Sequence, residues 1–189
     1  MLAEEKGVPY VFQSEKPHSE AVTAVHPFGK VPAMRHGAVS ICESAAIARY
    51  IDAAFEGEKF FPEDIALAAK VDEWVSLHNT IFDPTMIRKY AFAYIFPGTE
   101  GGNPDRERID ANLDDLKKQL VYIDSHLDGG FLVGGRLTYA DLAVYPTLHY
   151  MTQFPESAAI IENLNSLPRY TAYMGSRESA VKTMPPAGN

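Results

Sequence analysis

Residues 26–52 contain several groups that together could hold a small anionic peptide. The first is Val31-Pro32. An X-Pro bond is the only peptide bond that becomes cis at low cost, and the residue before a proline is held extended. Val31 can therefore present its N–H and C=O groups to an extended ligand, in the way that an added strand is held.

Charged residues on either side of Val31-Pro32 extend this pattern. Glu43-Ser44 stands at the predicted start of a helix, where unpaired N–H groups and the helix dipole favour a carboxylate. Ser44 adds a hydroxyl donor, Glu43 adds a negative charge for an ammonium group, and Lys30 is placed for a second carboxylate. A ligand with two carboxylates, one ammonium group and an extended amide backbone is glutathione, so this segment predicts a glutathione-binding site.

The same string resembles the glutathione-binding half of the cytosolic glutathione S-transferase family, and its Phe-Gly-Lys-Val-Pro form is similar to the phi-type and related bacterial members. The family pattern is Asn-Pro-x-Gly-x-Val-Pro-x-Leu, a turn, and then Glu-Ser-x-x-Ile, with His26 here in place of the usual Asn. In phi-like relatives a histidine of the preceding loop reaches the glycyl carboxylate. The predicted glutathione-binding residues are therefore Lys30, Val31, Pro32, Glu43, Ser44 and His18.

Composition and charge narrow the classes of partner. The chain has 189 residues and a formal net charge of −8, which argues against nucleic acid or an anionic membrane as the main partner. The single cysteine excludes an intrachain disulfide framework and fits a cytoplasmic protein. No segment approaches the roughly 20 apolar residues that span a bilayer. An acidic chain that binds an anion must concentrate positive charge locally, and the candidates are Lys30, Arg35, Arg49 and His18.

The elements that must position these residues belong to a small α/β domain. Residues 2–7 are typical of the end of a helix closed by glycine, and Tyr10-Val11-Phe12 predicts a strand. Residues 31–34 and 39–42 predict a hairpin, and residues 44–55 predict an amphipathic helix.

The rest of the chain predicts an all-helical region. An apolar stripe from Val71 to Phe82 indicates a helix that Asp83-Pro84 should kink or interrupt. Asn103-Pro104 is typical of the start of another helix, with Asn103 as its N-cap. Thr138-x-x-Asp141 predicts a capping box that opens a mostly apolar core helix.

The resemblance implies an α/β thioredoxin-like N-terminal domain at residues 1–57, a linker at 58–62 and an all-α C-terminal domain at 63–189. The family fold begins with a β-strand that leads into the first helix, and this sequence opens partway along that helix. We therefore expect the first strand and part of the first helix to be absent. Either the working protein is longer, or another element, such as a partner chain, fills the gap.

No catalytic residue is assigned from the sequence, because the family carries its activating Ser, Tyr or Cys in that absent segment. Cys42 lies in an apolar run and is more typical of inert packing than of a reactive thiol. The six histidines show no metal-ligand spacing, so no metal is expected.

The resemblance implies a glutathione transferase that conjugates the glutathione thiolate to an apolar electrophile, as a homodimer. The electrophile would lie between the domains, against Ile81, Ile87, Tyr90, Ala91 and Tyr94. One alternative is a non-catalytic binding or scaffold protein on the same fold, although a pure scaffold needs neither Lys-Val-Pro nor Glu-Ser. Another is a different glutathione-dependent enzyme, such as an isomerase, a dehalogenase or a disulfide reductase.

Overall fold

The computed structural model describes residues 1–127 and 129–185, and the chain divides into two compact units, Met1–Phe61 and Pro62–Asn189. Residues 186–189 of the predicted C-terminal domain lie outside the described residues. None of the described helices is both long and apolar enough to span a lipid bilayer.

The first unit combines three helices with one β-hairpin, which confirms the predicted α/β class. Its strands pair antiparallel, with Ala33 opposite Cys42 and His36 opposite Val39. Gly37 has a φ of +58° in the connecting turn, a conformation that costs glycine little. The elements are α1 (Leu2–Glu5), α2 (Glu20–Thr23), β1 (Ala33–His36), β2 (Val39–Cys42) and α3 (Ser44–Ala54).

Two strand predictions in this unit require correction. Strand β1 begins at Ala33 rather than at residue 31, since Pro32 has no N–H group for the ladder. The predicted strand at Tyr10-Val11-Phe12 is wrong: these residues have no regular secondary structure, and Val11 and Phe12 are 86% and 79% exposed. In the described part of the chain the only sheet is the two-stranded hairpin. Side chains that favour strands form one only where another backbone pairs with them.

Helix α3 is attached to the rest of the unit by a buried carboxylate. Asp52 accepts hydrogen bonds from the backbone N–H groups of Phe60 at 3.0 Å and Phe61 at 3.2 Å. The Nζ atom of Lys6 lies 3.4 Å from Asp52 Oδ1, and the Lys6 side chain is fully buried. This ion pair therefore joins α1 to α3, the helix whose N-terminus belongs to the predicted site.

Apart from an isolated bridge between Val133 and Arg136, the regular elements among the described residues of the second unit are all helices, which confirms the predicted all-α class. Its elements are α4 (Ile65–Leu77), a π-helical segment (His78–Ala91), α5 (Phe92–Ile95), a short 3₁₀ turn (Glu100–Gly102), α6 (Arg106–Asp110), α7 (Leu113–Asp124), α8 (Tyr139–Met151), α9 (Pro155–Glu162), α10 (Leu167–Ser176) and α11 (Glu178–Thr183).

Of the predicted kink or interruption at Asp83-Pro84, the interruption does not occur. Helix α4, the π-helical segment and α5 follow one another without a break, and Pro84 lies inside the π-helical segment. The wider turn changes the hydrogen-bond pairing around Pro84, which has no N–H group, so the chain remains helical. Phe82, Met86 and Tyr90 of this segment are buried.

The helix predicted from Asn103 begins later. Asp105 is its N-cap and accepts from the Arg108 N–H at 3.1 Å. The Asp105 N–H donates to the Ala93 carbonyl at 2.9 Å, which holds Asp105 just before the first turn. The helical region that follows is divided into α6 and α7, and Ile109 in α6 and Leu116 in α7 are both fully buried.

The predicted capping box at Thr138 and Asp141 is confirmed. Asp141 is fully buried and accepts from the N–H groups of Leu132 and Thr138, each at 2.9 Å, and from the Tyr170 hydroxyl at 3.1 Å. One carboxylate therefore joins the start of α8 to the preceding loop and to α10.

Candidate functional site

The two halves of the predicted site lie at the same end of the hairpin. The pairing of Ala33 with Cys42 is the last in the ladder, so Pro32 and Glu43 are the next residues beyond it on the two strands. The Val31–Pro32 bond is cis and immediately precedes β1. Antiparallel register therefore brings Val31-Pro32 beside Glu43-Ser44 although more than ten residues separate them in sequence.

His18 is held against the loop that precedes Lys30. Its N–H donates to the Gly29 carbonyl at 2.8 Å, and its ring lies so close to Gly29 that an added Cβ there would be 2.3 Å from His18 Nδ1. Gly29 has a φ of +64°, which favours glycine on conformational grounds as well. The six residues predicted to bind glutathione are all exposed to solvent: His18, Lys30, Val31, Pro32, Glu43 and Ser44.

The residues at the N-terminus of α3, Glu43 and Ser44, are exposed. Glu43 precedes the helix with a φ of +71° and does not cap it with its side chain. The first N–H groups of a helix have no partner within the helix, and they attract anions. A non-glycine residue at positive φ costs about 1 kcal/mol or more and persists where the surroundings hold it. The conformation of Glu43 is therefore set by its neighbours.

His26 is a member of the site that the sequence did not identify beyond its replacement of an asparagine. Its side chain is almost fully buried. The Phe28 N–H donates to Nδ1 at 3.2 Å, and Nε2 lies 3.3 Å from Glu43 Oε1. The only sequence signal for this role is the place of His26 directly before Pro27 in the motif.

Metal chemistry finds no support in the described residues, because no group of three or more His, Cys, Asp or Glu side chains there could hold a metal ion. Cys42 is half-buried at the end of β2, next to Glu43. Its position in the hairpin ladder opposite Ala33 agrees with a packing role.

The residues predicted to bind an apolar electrophile occupy the π-helical segment and α5, and they differ in exposure. Ile81 is 44% exposed, and Ile87 and Tyr94 are half-buried. Tyr90 and Ala91 have no exposed surface. Only the first three can therefore offer surface to a ligand in this conformation, while Tyr90 and Ala91 lie in the helical core.

The carboxylate of Glu156, which the sequence did not single out, accepts hydrogen bonds from the hydroxyls of both Tyr90 and Tyr94. Tyr90 donates to Glu156 Oε2 at 3.0 Å, and Tyr94 donates to the same oxygen. Arg106 Nη1 donates to the other oxygen at 2.5 Å. Burial alone would raise the pKa of Glu156, but hydrogen bonds from Tyr94 and Arg106 lower that pKa to about 2.

The same network keeps Tyr94 neutral. Burial, and then the hydrogen bond to Glu156, raise the pKa of the Tyr94 hydroxyl well above its usual range. A phenol that already donates to a carboxylate is poorly placed to stabilise a thiolate. Tyr94 therefore presents an aromatic ring, stacked on Phe154 with 4.6 Å between ring centroids, rather than a free acid.

Two family models match the chain. "Glutathione S-transferase, N-terminal domain" matches residues 1–59, and "Glutathione S-transferase, C-terminal domain" matches residues 87–180. Together the two matches span most of the sequence, one in each compact unit.

Curated relatives and solved structures agree with these matches. The chain is 30% identical to glutathione S-transferase theta-1 of Rattus norvegicus over 69% of its own length and 55% of the relative's. It is 30% identical to probable glutathione S-transferase GSTF2 of Oryza sativa subsp. japonica, over 75% of the chain and 66% of the relative. Glutathione S-transferase I from Mais, in complex with an atrazine glutathione conjugate, superposes with a TM-score of 0.83 at 25% identity, over 96% of this chain and 87% of that one. The chain thus spans about half to two thirds of the length of these curated relatives.

Proposed function

Because the chain belongs to the glutathione S-transferase family, we propose that it binds glutathione and transfers it to an apolar electrophile. Its first unit is the thioredoxin-like domain and its second is the helical domain of that fold. The observation that best supports the proposal is that antiparallel pairing of the hairpin brings Val31-Pro32 beside Glu43-Ser44 at one end of the ladder.

Each group of glutathione has a counterpart in this arrangement. The backbone of Val31 pairs with the extended cysteinyl segment. The first N–H groups of α3, with Ser44, bind one carboxylate, and Glu43 binds the ammonium group. Lys30 and His18 bind the carboxylate at the other end. The exposure of all these side chains supports access of a ligand from solvent.

The reaction joins the glutathione sulfur to an electrophilic carbon while a leaving group departs with its electron pair. A free thiol has a pKa of about 8.5, so the thiol proton must be lost before or during attack. We assign this activation to none of the described residues. For the electrophile we assign the apolar positions Ile81, Ile87 and Tyr94, with Tyr90 and Ala91 supporting the helix from its core.

Family membership also supports two further proposals. The first is a homodimer with two-fold symmetry, which is the commonest form of a soluble oligomer. The second is a cytoplasmic location, in keeping with the single cysteine in the sequence.

The test is calorimetric titration of the purified chain with glutathione, followed by a conjugation assay with chlorodinitrobenzene, a general aryl halide electrophile. Binding together with turnover above the uncatalysed rate is the expected result. Binding without turnover would instead support the alternative, a non-catalytic glutathione-binding protein on the same fold. Failure to bind glutathione at millimolar concentration would overturn the proposal.

A further inference from the structure

We propose that His26 is a positioning residue that holds the two halves of the glutathione site at a set separation; this inference rests on the proposed function. The imidazole joins the loop that leads to Val31 with the residue that opens α3. It does so through Phe28 on one side and Glu43 on the other.

The hydrogen bonds define how the ring acts. Because Nδ1 accepts from the Phe28 N–H at 3.2 Å, its lone pair is engaged, and the proton of the neutral ring is on Nε2. That proton faces Glu43 Oε1 at 3.3 Å. The two ring nitrogens thus have different partners and different roles.

The loop between His26 and Val31 has little apolar anchoring of its own. Phe28 is 73% exposed and Val31 is 50% exposed, so burial does not hold them in place. One bond that defines the turn is made by His26 itself, whose carbonyl accepts from the Gly29 N–H at 2.9 Å. The His26 N–H in turn donates to the Val22 carbonyl at 2.8 Å, which ties the loop to α2.

Glu43 needs an external support for a different reason. Its side chain is 71% exposed, and a long exposed side chain loses rotamer freedom when it binds a ligand. Its backbone also has a positive φ. A bond from the buried His26 ring restricts the carboxylate before the ligand arrives, so less entropy is lost when an ammonium group binds.

The two ring nitrogens can be tested separately by substitution. In His26→Asn the amide oxygen occupies the place of Nδ1 and can accept from Phe28, but the side chain is too short to reach Glu43. In His26→Gln the amide nitrogen occupies the place of Nε2 and can donate to Glu43, but the acceptor for the Phe28 N–H is lost. His26→Ala removes both bonds. The matched control is His36→Asn, because His36 belongs to the same unit and contacts Tyr50 instead of the site.

The measurements are the Kd for glutathione by calorimetry and the separate kcat and KM values in the conjugation assay, with circular dichroism to confirm folding. We expect His26→Ala to raise Kd and KM for glutathione about tenfold, the loss typical of one or two hydrogen bonds. Because the bonds act on ligand binding, kcat at saturating glutathione should stay within about threefold. His26→Asn and His26→Gln should each recover part of the affinity, and His36→Asn should match the wild type.

Equal affinities for the wild type and His26→Ala would overturn the inference and leave the proposed function standing. Equal losses in Ala, Asn and Gln would also overturn it, because ring packing rather than the two bonds would then be responsible. If His26→Ala does not fold, the Asn and Gln variants decide the question by the same comparison. A wild-type chain that fails to bind glutathione would overturn the proposed function itself, which separates the two failures.

Discussion

Lys30 is the proposed binding residue whose charge we expect to matter most for an anionic ligand, because the chain as a whole is acidic. With a net charge of −8, the protein repels anions at long range, and attraction has to come from nearby cations and helix N–H groups. Lys30 is exposed, so its interaction with a carboxylate is screened by water and by salt. Its contribution to binding should therefore be moderate and dependent on ionic strength.

Replacing Lys30 by Met tests this directly. We expect the Kd for glutathione to rise about fivefold to tenfold at low salt, a typical range for one charge-assisted contact near the surface. The difference from the wild type should shrink at high salt, because screening weakens the wild type more than the variant. Calorimetry at two salt concentrations measures both effects. Lys16→Met, which removes an exposed cation outside the predicted site, is the control and should leave Kd unchanged.

In the second unit, the lowered pKa of Glu156 predicts that stability depends on pH. Its pKa falls from 4.5 in the unfolded chain to about 2 in the fold. A lowered carboxyl pKa stabilises the folded state above pH 4.5, and this stabilisation is lost as the pH falls towards about 2.

Glu156→Gln should consequently lose about 1–3 kcal/mol of unfolding free energy near neutral pH, with the gap to the wild type closing in acid. Urea unfolding followed by the fluorescence of Trp74, the single tryptophan, reports on this unit. Glu162→Gln on the same helix changes an exposed carboxylate and serves as the control. A constant difference between Glu156→Gln and wild type down to about pH 2 would contradict the account.

At the scale of elements, buried carboxylates connect helices that apolar packing alone would leave free to shift. Asp52 binds the chain at Phe60 and Phe61 to α3, and Asp141 binds the start of α8 to α10 through Tyr170. Such a group stabilises the fold only while all its partners are satisfied, because an unpaired buried donor is costly.

Asp141→Asn tests the capping box. An amide of the same size can accept at one atom only, and its NH₂ group would face the donors that Asp141 now satisfies. We expect a loss of about 2–4 kcal/mol in unfolding free energy, measured by urea denaturation. Asp115→Asn, an exposed change in the first turn of α7, should cost less than about 0.5 kcal/mol. Similar losses in the two variants would contradict a special role for the capping box.

At the scale of the whole molecule, the two units should respond unequally to glutathione. A ligand stabilises the unit that binds it by mass action, by about 2.7 kcal/mol at a concentration of one hundred times Kd. Hydrogen exchange measured by mass spectrometry should therefore show slower exchange in residues 26–44 when glutathione is present. Peptides from α10, deep in the second unit, provide the internal control. Equal protection in α10 and the hairpin would contradict a site built on the first unit alone.

Local chemistry was enough to predict several features. Neighbours within four residues determine the capping box at Thr138 and Asp141 and the helix that starts at Ser44. The α/β-then-helical order of the chain follows from the periodicity of its apolar residues. Most of the glutathione-binding residues came from the spacing of Val31-Pro32 and Glu43-Ser44, while His18 came from the family resemblance, and the roles of all of them stay a prediction.

Other features depend on partners far away in sequence. Tyr10, Val11 and Phe12 favour a strand by residue type, but they form none in the described structure, because side-chain preference is weaker than the tertiary context that selects a strand. The helix continued past Pro84 because a π-helical turn and the packing around it compensate for the missing N–H group.

The sequence by itself indicated the α/β-then-helical order through local spacing and periodicity, and the residue types available to bind glutathione through Lys-Val-Pro and Glu-Ser. It indicated the family and its thioredoxin-like fold through the resemblance that those segments carry. Only the tertiary structure decided that His26 connects Phe28 with Glu43, and that Glu156 engages Tyr90 and Tyr94. The physical reason is that a hydrogen bond depends on distances of about 3 Å between atoms. Chain separations of 17 residues for His26 and Glu43, and of 66 for Tyr90 and Glu156, are closed only by the packed fold.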